Sequence, residues 1–307
     1  MAVQRSCKRY FRRNFLLQWQ LYALCLPALV FLAIFNYAPM YGVQIAFRDY
    51  TFAKGITGSD WVGLEYFVRF ITAHNFETLV WNTLSLNLYG LLVFPAPILL
   101  ALMLNILPHP RFKKLVQTAT YAPHFISVIV LCGMVRLFLS PVSGIVNVAI
   151  VALGGERINF MAEPSMFRHI YVWSDVWQNT GWGAIVYLAA LSGISPELYE
   201  AARVDGANRH HIIRYIELPG ILPTIIIMML LKLGSIMNVG FQKAFMLQTT
   251  ANSTTSEIIA TYVYKIGLTR AQYSFSAAIG LFNTAINIAL LCFSNGVSKR
   301  LTETSLW

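Results

Sequence analysis

Apolar residues dominate the chain, and they fall in long uncharged runs rather than in alternation. Residues 14–47, 78–110, 115–135, 176–196 and 271–298 carry no Asp, Glu, Lys or Arg, and residues 218–247 carry only Lys232 and Lys243. A helix needs about 20 mostly apolar residues to cross the hydrocarbon core of a bilayer. These windows predict six membrane-spanning helices in an all-α fold. Residues 142–155 are also apolar, but roughly 14 residues are too few to cross, so a helix lying at the outer surface is expected there. Pro27, Pro39, Pro95, Pro97, Pro123 and Pro223 sit inside the runs. Packed membrane helices tolerate such prolines because neighbours re-satisfy the freed carbonyls.

Composition points the same way. Of 307 residues, 57% are hydrophobic and 12% charged, against about a quarter charged in soluble domains. The formal charge of +10 does not indicate a nucleic-acid partner, because the basic residues flank apolar runs and build no continuous face. They do set an orientation, since Lys and Arg concentrate on the cytoplasmic side. With the N-terminus inside, the inner segments 1–18, 108–114, 194–219 and 298–307 hold 13 Lys/Arg in 61 residues, and the outer segments 45–77, 137–168 and 248–270 hold 7 in 88. Both termini are therefore expected in the cytoplasm. The domain layout is a cytoplasmic segment 1–18, a membrane domain 19–298 and a cytoplasmic tail 299–307. The first apolar run is too long for a signal peptide and no small-residue cleavage site follows it, so it reads as an uncleaved span. Cys7, Cys25, Cys132 and Cys292 have no metal-ligand spacing and read as buried reduced thiols.

One stretch is compactly polar: EAARVDGANRHHIIRYIELP, residues 200–219. Just before it, Ser195-Pro196 is a helix start, with Ser as cap and Pro at the first helical position. Glu197 in the first turn suits the helix dipole. Gly206 breaks the helix, because glycine turns the chain left-handed at low cost. Asn208 can cap a second helix running through Ile212, Ile213 and Ile216. Residues 195–219 thus predict a helix–turn–helix bracket on the inner membrane face. Leu198, Ala201 and Ala202 offer it a small apolar surface. His210 and His211 are adjacent, so they point to different helix faces and make a poor metal pair.

The spacing Glu200-Ala201-Ala202, three residues, Gly206, nine residues, Ile216-x-Leu218-Pro219 resembles the EAA loop of bacterial ABC importer permeases. The strings WVGLEYFVRF (61–70) and VWSDVWQNTGWGAIVYLAALSGISPELYEAA (172–202), with the ending SLW, resemble the polysaccharide and complex-oligosaccharide subgroup, which includes permeases for alginate and for pectin-derived oligosaccharides. The likeness covers roughly residues 15–307. It implies a type I importer permease (MetI-like) fold in a bacterial inner membrane. It implies a coupling role for Glu200, Ala201, Ala202, Arg203, Asp205, Gly206, Ile216, Leu218 and Pro219, docked on an ATP-binding subunit. Its implied partners are a second homologous permease, two ATP-binding subunits carrying ATP and Mg, an extracytoplasmic solute-binding protein on the outer loops, an oligosaccharide and membrane lipids.

The chain carries no chemistry of its own to drive transport. It has no GxxxxGK[ST] phosphate loop, HExxH, paired CxxC or GxSxG motif, so no catalytic residue, metal or cofactor is predicted. Polar groups at membrane depth face the bundle interior or a water-filled cavity. Asn82, Ser85, Asn87, Asn179, Tyr187, Lys232, Ser235, Asn238, Gln242, Asn283 and Asn287 are such groups. Two roles suit them: hydrogen bonds between helices, worth about 0.6 kcal/mol each, or contacts with sugar hydroxyls, for which amides offer both donor and acceptor. Ser235, Asn238 and Gln242 recur at helical spacing on one face. Lys232 suits either a sugar carboxylate or, as favoured here, a protein partner close enough to neutralise it. The substrate-pathway set is Asn179, Trp182, Tyr187, Ser235, Asn238, Gln242 and Asn283. Tryptophans near the span ends suit interface belts, and Trp177 and Trp182 also suit sugar stacking. Rival readings are an importer permease for another solute and an ion-coupled transporter. The latter needs embedded carboxylates, and Asp175 is the only acid near the core. The isolated chain is expected to show no nucleotide affinity. Calorimetric titration with Mg-ATP checks this, and clear binding would overturn the division of labour.

Overall fold

The computed structural model describes residues 19–302. The expected cytoplasmic segment 1–18 and the last part of the expected tail lie outside the described residues. The fold is all-helical apart from a two-residue hairpin pairing Arg48–Asp49 with Asp60–Trp61. Helix α1 spans Trp19–Phe47, α2 Glu65–Ile71, α3 Phe76–Ile106, and α4 and α5 are Pro110–Phe125 and Val128–Phe138. Then follow α6 Ile145–Ala152, α7 Pro164–Ser192, α8 Pro196–Val204, α9 Arg209–Gly234, α10 Phe241–Leu247, α11 Ile259–Tyr264 and α12 Tyr273–Thr302.

Four of these helices, α1, α3, α9 and α12, are long and apolar enough to cross a membrane, and the α4–α5 pair makes a fifth if its two arms form one span. Helix α7 has the length, at 29 residues, but Asp175, Gln178, Asn179 and Thr180 dilute its middle. Three predicted windows are not the continuous helices expected of them. Residues 78–110 leave the helix after Leu92 and resume it at Pro95. Residues 115–135 contain a 102° bend between α4 and α5. Residues 218–247 stop being helical after Gly234 and resume at Phe241. The predicted surface helix over 142–155 is present but shorter, over Ile145–Ala152. Of the cysteines, Cys132 is buried, whereas Cys25 and Cys292 are exposed on the chain's surface.

Three apolar clusters hold the bundle. Ile98, Ala101 and Leu102 of α3 meet Ala184, Tyr187 and Leu191 of α7 and Ile221 of α9. Leu86, Cys132, Phe167, Ala244 and Leu247 form a second cluster, and Phe70, Leu79, Met237, Ile259, Phe275 and Ile279 a third. Helix α7 runs through the first two and is the central post. It approaches α4 backbone to backbone: a Cβ placed on Gly181 would lie 2.0 Å from Thr120 O. With no Cβ, Gly181 lets the two helices touch, and dispersion then acts along the whole contact.

Gly181→Ala is therefore expected to force α4 and α7 apart and cost about 1–3 kcal/mol. The unfolding midpoint of the purified chain in detergent checks this. Gly280→Ala, where no atom lies within 4 Å of the new Cβ, is the matched control and stays near the parent value.

Candidate translocation cavity and coupling bracket

A cavity of about 960 Å³ opens among α3, the α4–α5 bend, α7 and the α9–α10 break. Each of the three helix interruptions reaches its wall, through Val93, through Phe125–Ser127 and through Asn238–Gly240. Backbone groups freed at such interruptions are costly in a bilayer unless protein or cavity water satisfies them. Here a side chain from another helix serves each one.

In α3, Pro95 has no N–H to donate, and the Phe94 N–H turns to Leu91 O at 3.1 Å. Gly90 O is left without that donor, and Lys232 Nζ of α9 supplies one at 2.8 Å. At the α4–α5 bend, Ser127 caps α5 by accepting the Val130 N–H, and Gln178 Nε2 of α7 donates to Ile126 O at 2.8 Å. At the α9–α10 break, the Met237 N–H donates to Asn287 Oδ1 of α12 at 3.0 Å. Asn238 Oδ1 accepts from both Asn283 Nδ2 and Asn287 Nδ2 at 3.1 Å. Close packing bounds this break as well, since a Cβ on Gly234 would lie 2.5 Å from Leu291 Cδ1.

The cavity wall also carries charge. Lys243 is almost fully buried, with its Nζ 3.5 Å from Asp175 Oδ1 and its side chain 6% exposed against 54% for the aspartate. It lies over the Tyr171 ring at 4.8 Å. Asp175 Oδ1 also accepts from Asn179 Nδ2 at 2.9 Å, and Asn179 Oδ1 lies 3.0 Å from His124 Nδ1. The His124 ring stacks on Trp182 at 4.5 Å between centroids. Lys232, Lys243 and Asp175 all line the cavity, so cationic charge is in excess there.

The pathway residues expected from sequence separate into groups. Asn179, Asn238 and Gln242 line the cavity, as do Asn87 and Lys232. Asn283 stands behind Asn238, and Trp182 backs His124. Tyr187 is in the α3–α7–α9 core, 2% exposed. Ser235, Asn238 and Gln242 do not share a helical face. Ser235 ends α9, its hydroxyl bonded back to Leu231 O and Lys232 O, and the helix they were expected to share is broken between them. Asn82 donates to Thr254 O and Glu257 O, and Ser85 donates to Asn82 O, so both serve helix and loop packing. Sequence reasoning missed Gln178 and His124, and gave Lys243 no role. Lys243 had a visible signal, a charge inside an apolar run. Gln178 and His124 had none.

The bracket has the predicted form. Ser195 Oγ accepts the Glu197 N–H at 3.3 Å, Pro196 opens α8, and Gly206 turns the chain at φ +75°. Asn208 Oδ1 then accepts the His211 N–H at 3.0 Å. Glu200, Ala201, Arg203, Asp205, Gly206 and Pro219 are exposed, while Ala202, Ile216 and Leu218 are half-buried. Val204 is 88% exposed and, with Leu198, gives α8 an apolar outer surface. Among the described residues, Glu200, Arg203 and Asp205 form no ion pair.

Over residues 91–303 the chain matches the family of binding-protein-dependent transport system inner membrane components. The protein belongs to this family. The chain is 40% identical over 291 residues to the polygalacturonan/rhamnogalacturonan transport system permease protein YteP of Bacillus subtilis (strain 168), covering 94% of this chain and 91% of the relative. It is also similar, with a TM-score of 0.88 and 39% identity over 95% of this chain and 99% of the other, to a chain in the crystal structure of a bacterial ABC transporter involved in import of the acidic polysaccharide alginate. A second structure of a bacterial alginate ABC transporter, in complex with an alginate pentasaccharide-bound periplasmic protein, gives a TM-score of 0.88 at 40% identity, over 96% of this chain and 99% of the other.

No atom of this component lies within 4 Å of a Cβ built at Gly206, so only the left-handed turn restricts that position. Gly206→Val is expected to strain it by about 1–2 kcal/mol, leaving membrane insertion intact while amide exchange across 196–212 quickens. Gly206→Asn, which tolerates the left-handed region, is expected to stay close to the parent in the same hydrogen-exchange measurement.

Proposed function

We propose that this chain is the membrane-spanning permease subunit of an ATP-driven ABC importer that takes up acidic oligosaccharides. The observation that carries the reading is the cavity, where two lysines face one aspartate across three interrupted helices. Lys232 is already committed to Gly90 O. Lys243 is held by a long contact with a half-exposed aspartate and by the Tyr171 ring, so of the two lysines it is the one whose charge a solute carboxylate would meet. Charge-assisted pairing of this kind gains strength away from bulk water. Amides at 87, 179, 238 and 242 supply donors and acceptors for hydroxyls. Relatives named for polygalacturonan and alginate transport support the same substrate class.

In this reading the chain crosses a bacterial inner membrane six times, with α7 as the sixth crossing and both termini cytoplasmic. The charge distribution of the loops supports that orientation. One six-helix chain supplies half a pathway, and a second homologous permease supplies the rest. Two ATP-binding subunits hold the nucleotide, one of them docked on the bracket 195–219. Exposed Leu198 and Val204 suit that contact, because apolar side chains facing the cytoplasm rather than lipid need a partner. A solute-binding protein meets the outer loops 45–77, 140–168 and 248–270, and the alginate importer in complex with its periplasmic protein supports that arrangement. The chain itself performs no covalent chemistry.

Uptake of a galacturonate oligomer and of its methyl ester into proteoliposomes holding the complete importer tests the proposal. The free acid is expected to be preferred, and Lys243→Gln to cut its uptake about tenfold while changing that of the ester little. Equal uptake of both solutes by the unsubstituted importer would overturn the acidic-substrate reading.

A further inference from the structure

Helices α3 and α9 both pack against α7 and are fastened to each other by side chains at two places. At the bracket end, Glu217 is fully buried at 0% exposure. Its Oε1 accepts from Asn105 Nδ2 of α3 at 2.8 Å, and Arg209 NH2, at the start of α9, donates to both of its oxygens at 2.9 and 3.2 Å. Glu217 closes a π-type turn over Ile213–Glu217, a wide turn that leaves the helix locally less regular than α-helix. At the cavity end, Lys232 Nζ donates to Gly90 O of α3 at 2.8 Å. Along each helix the two fastened residues are 15 positions apart: 217 and 232 on α9, 105 and 90 on α3. That is about 20 Å of helix, and the fastenings match because the helices are antiparallel. Between the fastenings, Ile98, Ala101 and Leu102 of α3 and Ile221 of α9 join one apolar cluster with Ala184, Tyr187 and Leu191 of α7.

A charge buried at one end, a carbonyl repaired at the other and an apolar cluster shared with α7 between them tie α3 to α9. The lower fastening sits in the bracket and the upper one in the cavity wall. We propose that Glu217 and Lys232 are positioning residues for coupling: together they make the α3–α9 pair a two-point lever that carries displacement of the bracket to the broken backbone lining the cavity. The inference rests on the reading of 195–219 as the ATPase-docking element.

Additivity tests it. Independent substitutions more than about 7–10 Å apart add in free energy, whereas parts of one linkage do not. The complete importer in nanodiscs is assayed for solute-stimulated ATP hydrolysis, and in proteoliposomes for solute moved per ATP. Glu217→Gln and Lys232→Met are expected each to lower solute moved per ATP about tenfold, with the KM for ATP unchanged. The double variant is expected to be no worse than either single one. Lys232→Arg, which keeps a donor for Gly90 O, is expected to recover most of the loss. Asn105→Ala serves as a second entry to the lower fastening should Glu217→Gln fail to assemble. Multiplied losses in the double variant, or full transport per ATP in the single ones, would overturn the lever. A complex whose unsubstituted form lacks solute-stimulated hydrolysis would instead overturn the docking reading on which the lever rests.

Discussion

In hydrocarbon, a backbone group without a partner costs several kcal/mol, and this protein interrupts its helices within long apolar runs. The interruptions at Val93–Phe94, Ile126–Ser127 and Ser235–Gly240 converge on one cavity, and Lys232, Gln178 and Asn287 each repair one of them from a neighbouring helix. The cavity and the breaks are therefore a single feature. Irregular backbone faces the space at each interruption. The side chains that tolerate it cross-link α3 to α9, α4–α5 to α7, and α9–α10 to α12. Much of the polarity at membrane depth is thus spent on the protein itself, and what remains toward the cavity is small: Asn179, Asn238, Gln242, Lys243 and Asp175.

The bracket solves a different problem. For the docking role proposed above it must stay exposed so that another subunit can reach it, yet must not move independently of the bundle. Caps at Ser195 and Asn208 and the left-handed Gly206 fix its shape with local hydrogen bonds. Its attachment comes from Glu217, which is buried at the root of α9 and held by Asn105 and Arg209. Shape is set at the exposed end and attachment at the buried end, so the outer face of α8 is free to vary with its partner.

Much of this was legible in the residues. Long uncharged runs located the apolar helices, because the spanning length is a property of the bilayer. Ser195-Pro196, Gly206 and Asn208 announced the bracket turn by turn, because caps and left-handed turns are local chemistry. Legibility ended where tertiary contacts decide. The runs 115–135 and 218–247 read as unbroken because hydropathy does not register a bend that a distant glutamine or asparagine makes tolerable. Ser235, Asn238 and Gln242 lost their shared face for that reason. Tyr187 read as a pathway residue because its hydroxyl is polar, whereas its ring fills the α3–α7–α9 core. Helix α7 hides its polar middle inside an uncharged window, since Gln178, Asn179 and Thr180 carry no charge to count.

The excess of lysine over aspartate in the cavity bears on the electrical work of import. Bacterial cytoplasm is negative relative to the outside, and each elementary charge carried across 100 mV involves about 2.3 kcal/mol. For an anionic sugar moving inward that work is uphill and grows with every uronate in the chain, so charge as well as length sets the load on nucleotide hydrolysis. In the proposed pathway for acidic sugars, a fixed ammonium group part-way across the field would let each carboxylate pause next to a counter-charge. The voltage drop is then climbed in shorter steps.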